Sequence, residues 1–362
     1  MKVFITGGAG LIGQAIARRH IAHGDEVFVY DNRYNEFNDY SNIQGEDLYA
    51  NGYTLEDALR YVNPDVISHQ AACVGVGESQ YKIRLYHNNN VSFTARLLQY
   101  ILDLKLKPEK IMLAGSMEPY GEGQRKCVNC EEIFIPMKPR DRIDIRCPDC
   151  FSDTLPLPMW EPQPLSPQSQ YAVSKMTQES MLRVFCNTYD IPGVSLRYFS
   201  VYGTECNHRN PYTGVLSIIA NKLINSDEVE LSEDGEQTRD LIHADDIGLA
   251  HFTGVNCDTG TFISLNIGTG KSVSLKYVAE AIKDKLKIDK PIVYNGKLRR
   301  GDIKDACAST FGASAVLGWK SSIRIEDGID AYCRYVADNK DLYTTGDICW
   351  EADKAPERSG LI

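Results

Sequence analysis

A doubly wound α/β fold, a Rossmann-type parallel sheet with helices on both faces, follows from three features of this chain. Short apolar strands alternate with helical periods through the amino-terminal half. A glycine-rich loop joins the first strand to the first helix, and an aspartate closes the second strand. The same pattern predicts a smaller carboxy-terminal lobe and a cysteine-rich subdomain inserted into the sheet domain.

Val3-Phe4-Ile5 is a β-branched and aromatic run that stops at glycines, the mark of a short strand. A helical period covers Leu11–Ile21, and Gly24 can close it. Val27–Tyr30 reads as the second strand, ending at Asp31. Asp65–His69 and Lys110–Ala114 read as further strands, with a helix over Asn90–Leu104 between them. Met176–Tyr189 suits a helix and Val194–Tyr198 a strand. Residues 1–122 and 161–205 then form the sheet domain, and 123–160, rich in Cys, Pro and charge, form the insertion. Shorter, irregular elements over 206–340 mainly make the substrate lobe, and 341–362 reads as a loosely packed tail.

The 362 residues include 39 basic and 49 acidic side chains, a net charge of −10, with no basic run longer than two. Phosphate backbones need a basic face, so nucleic-acid and anionic-membrane partners are excluded. With 43% apolar and 24% charged residues, the chain has the composition of a globular protein. No stretch is long and apolar enough for a membrane span, and no signal peptide precedes the first strand, so a cytoplasmic protein is expected. Eleven cysteines in such a chain read as metal ligands or free thiols rather than disulfides.

Thr6-Gly7-Gly8-Ala9-Gly10-Leu11-Ile12-Gly13 has the strand-to-helix context of a dinucleotide-binding loop. Gly7 permits the tight turn, Gly10 a close approach to a pyrophosphate, and Gly13 close packing of helix on strand. The helix amino terminus then holds the phosphates. Asp31, 18 residues past Gly13, can bond the adenosine ribose and repel a 2′-phosphate, which favours NAD over NADP. Arg33 counts the other way. Tyr171-Ala-Val-Ser-Lys175 puts a phenol and an ammonium on one helix face. The ammonium should lower the tyrosine pKa from its usual ~10, making Tyr171 a general base, while Lys175 can hold the nicotinamide ribose.

Cys127-x-x-Cys130 and Cys147-x-x-Cys150, 16 residues apart, have zinc-ribbon spacing. Four thiolates leave no open position, so the expected zinc is structural. The other seven (Cys73, Cys186, Cys206, Cys257, Cys307, Cys333, Cys349) read as buried thiols.

Further motifs follow in order: His69-Gln-Ala-Ala72, Gly77-Glu-Ser79, Asn89-Asn90-Val91, Ser116-x-x-x-Tyr120-Gly121, Leu196–Gly203, Thr238-Arg-Asp240, Asp245-Asp246 and Arg299-Arg-Gly-Asp302. With the glycine loop and Tyr171/Lys175, they make the chain resemble the extended short-chain dehydrogenase/reductases, and among them the NAD-dependent nucleotide-sugar epimerases and dehydratases. The similarity runs from Met1 to about residue 335, apart from the insertion. It implies a tightly bound NAD contacted by Gly7, Gly10, Leu11, Ile12, Gly13, Asp31, Asn32, Asp47, Leu48, Ala71, Ala72, Asn90, Tyr171 and Lys175. It also implies a nucleotide-sugar substrate held by Ser79, Ser200, Arg239 and Arg299, the arginines on the diphosphate. Tyr171 would deprotonate a sugar hydroxyl, usually at C4, with Ser116 on the same oxygen. Homodimers are common among such relatives.

Ser116-Met117-Glu118 bears on the second half of the reaction. The dehydratases it resembles carry Thr-Asp-Glu, whose Glu removes the C5 proton and whose Asp protonates the leaving hydroxyl. Glu118 fits the first role, but Met117 cannot donate a proton. Three readings stay open: a 4,6- or 5,6-dehydratase using Glu118, a 4-epimerase in which Glu118 only hydrogen-bonds substrate, and a uronic-acid decarboxylase. Asn210-Pro-Tyr-Thr-Gly-Val-Leu-Ser217 and the cysteine insertion resemble a branch with 4-epimerases of 6-deoxy sugars such as dTDP-rhamnose. Residues beside the reacting carbon decide chemistry most directly, so the sequence favours the dehydratase by a small margin.

Overall fold

Lys2–Thr6 lies in the middle of a seven-stranded parallel sheet. On one side come Glu26–Tyr30 and Glu46–Asp47; on the other come Val66–His69, Lys110–Ser116, Gly193–Tyr198 and Phe262–Ile267. In chain order this is 3-2-1-4-5-6-7, the doubly wound arrangement. Successive residues of a strand point to opposite faces, so each face gathers its own apolar core. Val3, Ile5, Ile16, Val29 and Leu196 pack on one, and Phe4, Leu59, Ile67, Leu97 and Leu182 on the other. The order reverses between the first and fourth strands, and the carboxyl ends at such a switch point are where doubly wound folds form a ligand crevice. The computed structural model describes residues 1–33, 43–137, 144–204, 214–299 and 301–344.

Several elements differ from the sequence reading. The helix expected over Met176–Tyr189 spans Gln170–Tyr189, because the Ser169 hydroxyl caps it by accepting from the Ala172 N–H (3.1 Å). That brings Tyr171 into its first turn. The Asn90–Leu104 helix resolves into a π-turn over His87–Ser92 and a helix over Phe93–Asp103. Not all of 206–340 is lobe: Ala244–Asn256 packs against Leu11–Ala22, and Phe262–Ile267 is the seventh strand. The remaining lobe has its own core, including Leu216, Ile219, Val278, Ile282, Ile329 and Tyr332. The tail is not loose at its start: Lys340–Thr344 is helical and Tyr343 is buried, its hydroxyl 3.2 Å from that of Tyr332. Residues 345–362, Asn210–Thr213 of the lobe motif, Arg300, Cys206 and Cys349 lie outside the described residues. Among the described residues no helix is long and apolar enough to cross a membrane.

The insertion is a three-stranded antiparallel sheet of Arg125–Cys127, Ile133–Phe134 and Thr154–Pro156. It leaves the sheet after Tyr120 and returns ahead of Ser169.

A buried ion pair ties the long helix to the sheet. Arg197 donates to both Glu179 carboxylate oxygens, to the Tyr120 hydroxyl and to the Glu161 carbonyl. Tyr120 donates in turn to Asn266 of the seventh strand (2.8 Å). Removing one partner strands a buried charge. Glu179→Ala should therefore cost about 3–5 kcal/mol in urea unfolding, and a loss below about 1 kcal/mol would contradict this assignment.

Candidate active site

Gly7 adopts φ +68°, and a β-carbon there would lie 2.6 Å from the Ala71 backbone. One on Gly13 would lie 2.5 Å from the Gly7 carbonyl oxygen. One on Gly10 would meet only the Gly7 oxygen, at 3.5 Å, so this glycine faces open space. The helix that begins with Leu11 and Ile12 has no side-chain cap and no acid in its first turn. Its first N–H groups and positive dipole end therefore suit an anion in the crevice.

Asp31 accepts from the Ala9 N–H (3.1 Å) and the Arg33 N–H (2.9 Å), and burial still raises its pKa. Asn32 beside it is exposed. Arg33 donates to Asp47, so the side chain that argued for NADP is turned to a carboxylate. Leu48 is fully buried, and its N–H donates to the Val29 carbonyl (2.9 Å). Ala71 and Ala72 follow the fourth strand, and the Ala71 N–H reaches the Thr6 hydroxyl (3.3 Å). Asn90 stands behind this wall rather than at its surface. Fully buried, it accepts from the Cys73 N–H and donates to the Cys73 carbonyl and to Ser174 of the long helix.

Ser116 ends the fifth strand near Tyr171, whose pKa it pulls down, while Lys175 donates to the Ala114 carbonyl (3.0 Å). All three side chains are buried. The sequence predicts a lowered Tyr171 pKa, but the direction is upward. Burial dominates, and Glu118 adds to it against the pull of Ser116. The same burial pulls Lys175 down to about 7, which weakens the cation that was to offset it.

Glu118 opens a 3₁₀ turn after Ser116, and its N–H donates to the Ser116 hydroxyl (3.2 Å). Its carboxyl is pushed up to about 7 by burial and then by Asp302, against the pull of Arg239 and Arg299. Met117 is buried among Tyr120, Met159, Phe199 and Ile303. Arg239 donates to the carbonyls of Thr238, Ile303 and Lys304 and lies 3.8 Å from Asp302. Arg299 packs over Gly77, where a β-carbon would come within 3.0 Å of its Nη2. Ser200 lies on a strand parallel to the one bearing Arg239. Ser79 is fully buried, with its hydroxyl given to the Val76 carbonyl (2.7 Å).

Residues 3–141 and 152–268 match the NAD dependent epimerase/dehydratase family. The chain belongs to that family. It is 29% identical to a dTDP-L-rhamnose 4-epimerase of Burkholderia thailandensis, over 94% of this chain and 96% of that one. It is 26% identical to a putative UDP-glucose 4-epimerase of Methanocaldococcus jannaschii, over 93% and 99%. Among solved structures, MoeE5 in complex with UDP-glucose and NAD aligns with a TM-score of 0.74 at 26% identity, covering 94% and 100%. The fold is also that of the UDP-glucose 4-epimerase of Thermotoga maritima, with a TM-score of 0.76 at 23% identity and coverage of 94% and 100%.

Two features of this family member carry no local sequence signal. Tyr86, 6.2 Å from the Tyr171 ring, donates to Glu78 (3.0 Å) and walls the phenol. A chain of hydrogen bonds of 2.7–3.2 Å joins Tyr198, which donates to Gln70, through Ser68, His251 and His20 to Asp25. Asp25 also accepts from the amino terminus (2.8 Å). Gln70 adjoins Ala71, so this relay braces the crevice wall from a distance no short motif spans.

The four ribbon cysteines place their sulfurs within 4.8 Å of one another, with nearest pairs at 3.4, 3.6 and 3.7 Å. A zinc tetrahedron with Zn–S of ~2.3 Å has S–S edges of about 3.8 Å. The Asn129 and Cys130 N–H groups donate to the Cys127 sulfur, as a metal knuckle requires. Of the remaining described cysteines, Cys186 and Cys333 are buried, and Cys73, Cys257 and Cys307 are partly so.

The Glu118 shift predicts a pH effect. Its folded pKa is raised, so the folded state binds the extra proton and stability falls as pH rises from about 4.5 to about 7. Glu118→Gln should remove part of that fall. Urea unfolding of ligand-free protein at pH 5 and 7.5 checks it, and parallel losses in both proteins would count against the shift.

Proposed function

We propose that the chain is an NAD-dependent nucleotide-sugar 4-epimerase. The observation that carries this reading is the reacting centre itself. Ser116, at the end of the fifth strand, and Tyr171, in the first turn of the long helix, are both buried and close enough for Ser116 to act on the phenol, a pair suited to a C4 hydroxyl. Met117 fills the adjacent place where elimination needs a proton donor. The sequence favours a dehydratase on the strength of Glu118. Relatives named as 4-epimerases match nearly the whole chain, which moves the reading to the alternative.

In this reading Tyr171 takes the proton of the C4 hydroxyl as the C4–H bond breaks, and Ser116 donates to the same oxygen. Bound NAD supplies the hydride acceptor and the source from which hydride returns to the opposite sugar face. Gly7, Gly10 and Gly13 would cradle its pyrophosphate, with Asp31 at the adenosine ribose and Asp47 and Leu48 at the adenine. Ala71 and Ala72 would wall the nicotinamide, backed by Asn90. Lys175 would hold the second ribose and, when protonated, would add positive charge on the helix face of Tyr171. Arg239 and Arg299 would meet the diphosphate, with Ser200 nearby and Ser79 bracing the turn beneath.

The relative acting on dTDP-L-rhamnose makes a dTDP-6-deoxyhexose the first substrate to try. Dehydration stays the second reading, because a carboxyl with a pKa about 7 can take a C5 proton. A panel of dTDP-, UDP-, GDP- and CDP-sugars, with products identified by mass and NMR, separates them. A product of unchanged mass inverted at C4 is expected. Loss of water would establish the dehydratase, and loss of carbon dioxide the decarboxylase. Tyr171→Phe should lower turnover at least about 10²-fold while retaining NAD. Glu118→Gln should keep epimerisation and shift the rising limb of the pH profile to lower pH, since Glu118 raises the Tyr171 pKa.

We further propose one structural zinc ion on Cys127, Cys130, Cys147 and Cys150. Elemental analysis should find about one zinc per chain, lost in Cys130→Ser. A protein that neither carries nor takes up zinc would refute the site.

A further inference from the structure

The ribbon interrupts the chain between Glu118 and Tyr171, and its base is joined to the active site by buried polar contacts. Arg125, in the first ribbon strand, is 3% exposed. Its Nη1 donates to Asp305 (2.8 Å), while its Nε and Nη2 bind Thr154 of the last ribbon strand. The other Asp305 oxygen accepts from the Thr238 hydroxyl (2.9 Å), one residue before Arg239. Glu122, at the ribbon entry, accepts from the Lys304 N–H (2.8 Å), and Asp144 lies 3.5 Å from the Lys304 ammonium. From its other side the same stretch presents the Ile303 and Lys304 carbonyls to the Arg239 guanidinium.

We propose that Arg125 and Asp305 are positioning residues through which the metal-bound ribbon fixes Arg239, and so sets affinity for the diphosphate of the nucleotide sugar. The inference rests on the diphosphate role of Arg239 and on zinc at the four cysteines. A buried guanidinium and carboxylate, each hydrogen-bonded on two sides, hold one geometry, so a displaced ribbon displaces Thr238 and Arg239 with it. Among its described residues the ribbon has little apolar core of its own: its strands are two or three residues long, and Val128, Ile133, Met137, Phe151 and Leu155 are all exposed. Met159 and Arg125 are buried at its base, and Cys127 and Cys147 are the buried members of the cysteine cluster, so metal binding should stabilise the ribbon's fold. Ser116, Tyr171 and Lys175 are held by the fifth strand and the long helix instead. The effect should therefore fall on binding rather than on chemistry.

The test uses full-length protein and its best nucleotide-sugar substrate, together with the corresponding free nucleoside diphosphate as a binding probe. Wild type is compared zinc-loaded, chelator-stripped and zinc-restored; Arg125→Met, Arg125→Lys and Asp305→Asn are compared zinc-loaded. Stripping should raise KM and the diphosphate Kd at least about tenfold, with kcat within about twofold and NAD content unchanged. Restored zinc should reverse the change. Arg125→Met and Asp305→Asn should keep their zinc yet show the raised KM, with partial recovery in Arg125→Lys, which keeps charge without the fork. Stripped protein or zinc-loaded variants with lowered Tm but unchanged KM and Kd would overturn the proposal. Should a variant fail to fold, the stripped wild type decides alone. Failure of zinc-loaded wild type to bind any nucleoside diphosphate would overturn the diphosphate reading and this inference together.

Discussion

The turn after the first strand meets the loop after the fourth so closely that a β-carbon on Gly7 would lie 2.6 Å from the Ala71 backbone. That contact lies at the switch point of the sheet, and the glycine loop, Asp31 and the loop after the fourth strand are all tied to it. The Gly7 N–H donates to the Tyr30 carbonyl, which pins the second strand and brings Asp31 under the loop. The Asp31 carboxylate then closes the loop by accepting from Ala9. Thr6 receives the Ala71 N–H, and His69 sits fully paired between Thr6 and Thr94. A side chain at Gly7 would clash with the Gln70–Ala71 backbone and force the first strand's turn away from the loop after the fourth.

Burial is the second constraint, and it acts on protons rather than on shape. Burial disfavours charge throughout the reacting centre: it raises the Tyr171 pKa, pushes Glu118 up to about 7 and pulls Lys175 down to about 7. Water excluded from the site cannot stabilise charge there, so charge must arrive with the ligands. On the proposed reading, an oxidised nicotinamide would supply positive charge to a site where Tyr171 would have to ionise. A lysine four residues along the helix cannot do this alone, because the desolvation that raises the phenol also lowers the amine.

This explains which parts of the molecule were legible in the sequence. The glycine loop, Asp31, Tyr171 with Lys175 and the paired Cys-x-x-Cys could be read because backbone geometry or ligand spacing dictates residue type locally. Motif membership alone did not separate ligands from braces. Asn90, Ser79, Tyr120 and Arg197 stand in motifs as plain as those of Tyr171, yet their polar atoms face other protein groups. Local reading also lost the seventh strand, since Phe262–Ile267 follows an irregular stretch and earns its place only by pairing with Gly193–Tyr198. The relay from Tyr198 to Asp25 joins residues up to 231 positions apart, so no short window of sequence contains it. The direction of the Tyr171 shift was missed for a related reason: charge spacing is visible in sequence, whereas desolvation is a property of the folded surroundings.

The same electrostatics bear on the choice between epimerisation and elimination. Glu118 titrates near 7 with Arg239 and Arg299 holding its pKa down and Asp302 pushing it up. A diphosphate bound by those arginines would neutralise the two groups that favour the carboxylate and add negative charge of its own. Substrate binding would then raise the Glu118 pKa further and leave it protonated at neutral pH. A protonated carboxyl is a poor base for a C5 proton but a good hydrogen-bond donor to a sugar oxygen. Met117, apolar and buried, offers no second acid to complete an elimination. If the arginines do bind a diphosphate, the carboxyl that made dehydration attractive in the sequence would be better suited to hydrogen-bond a sugar than to deprotonate it.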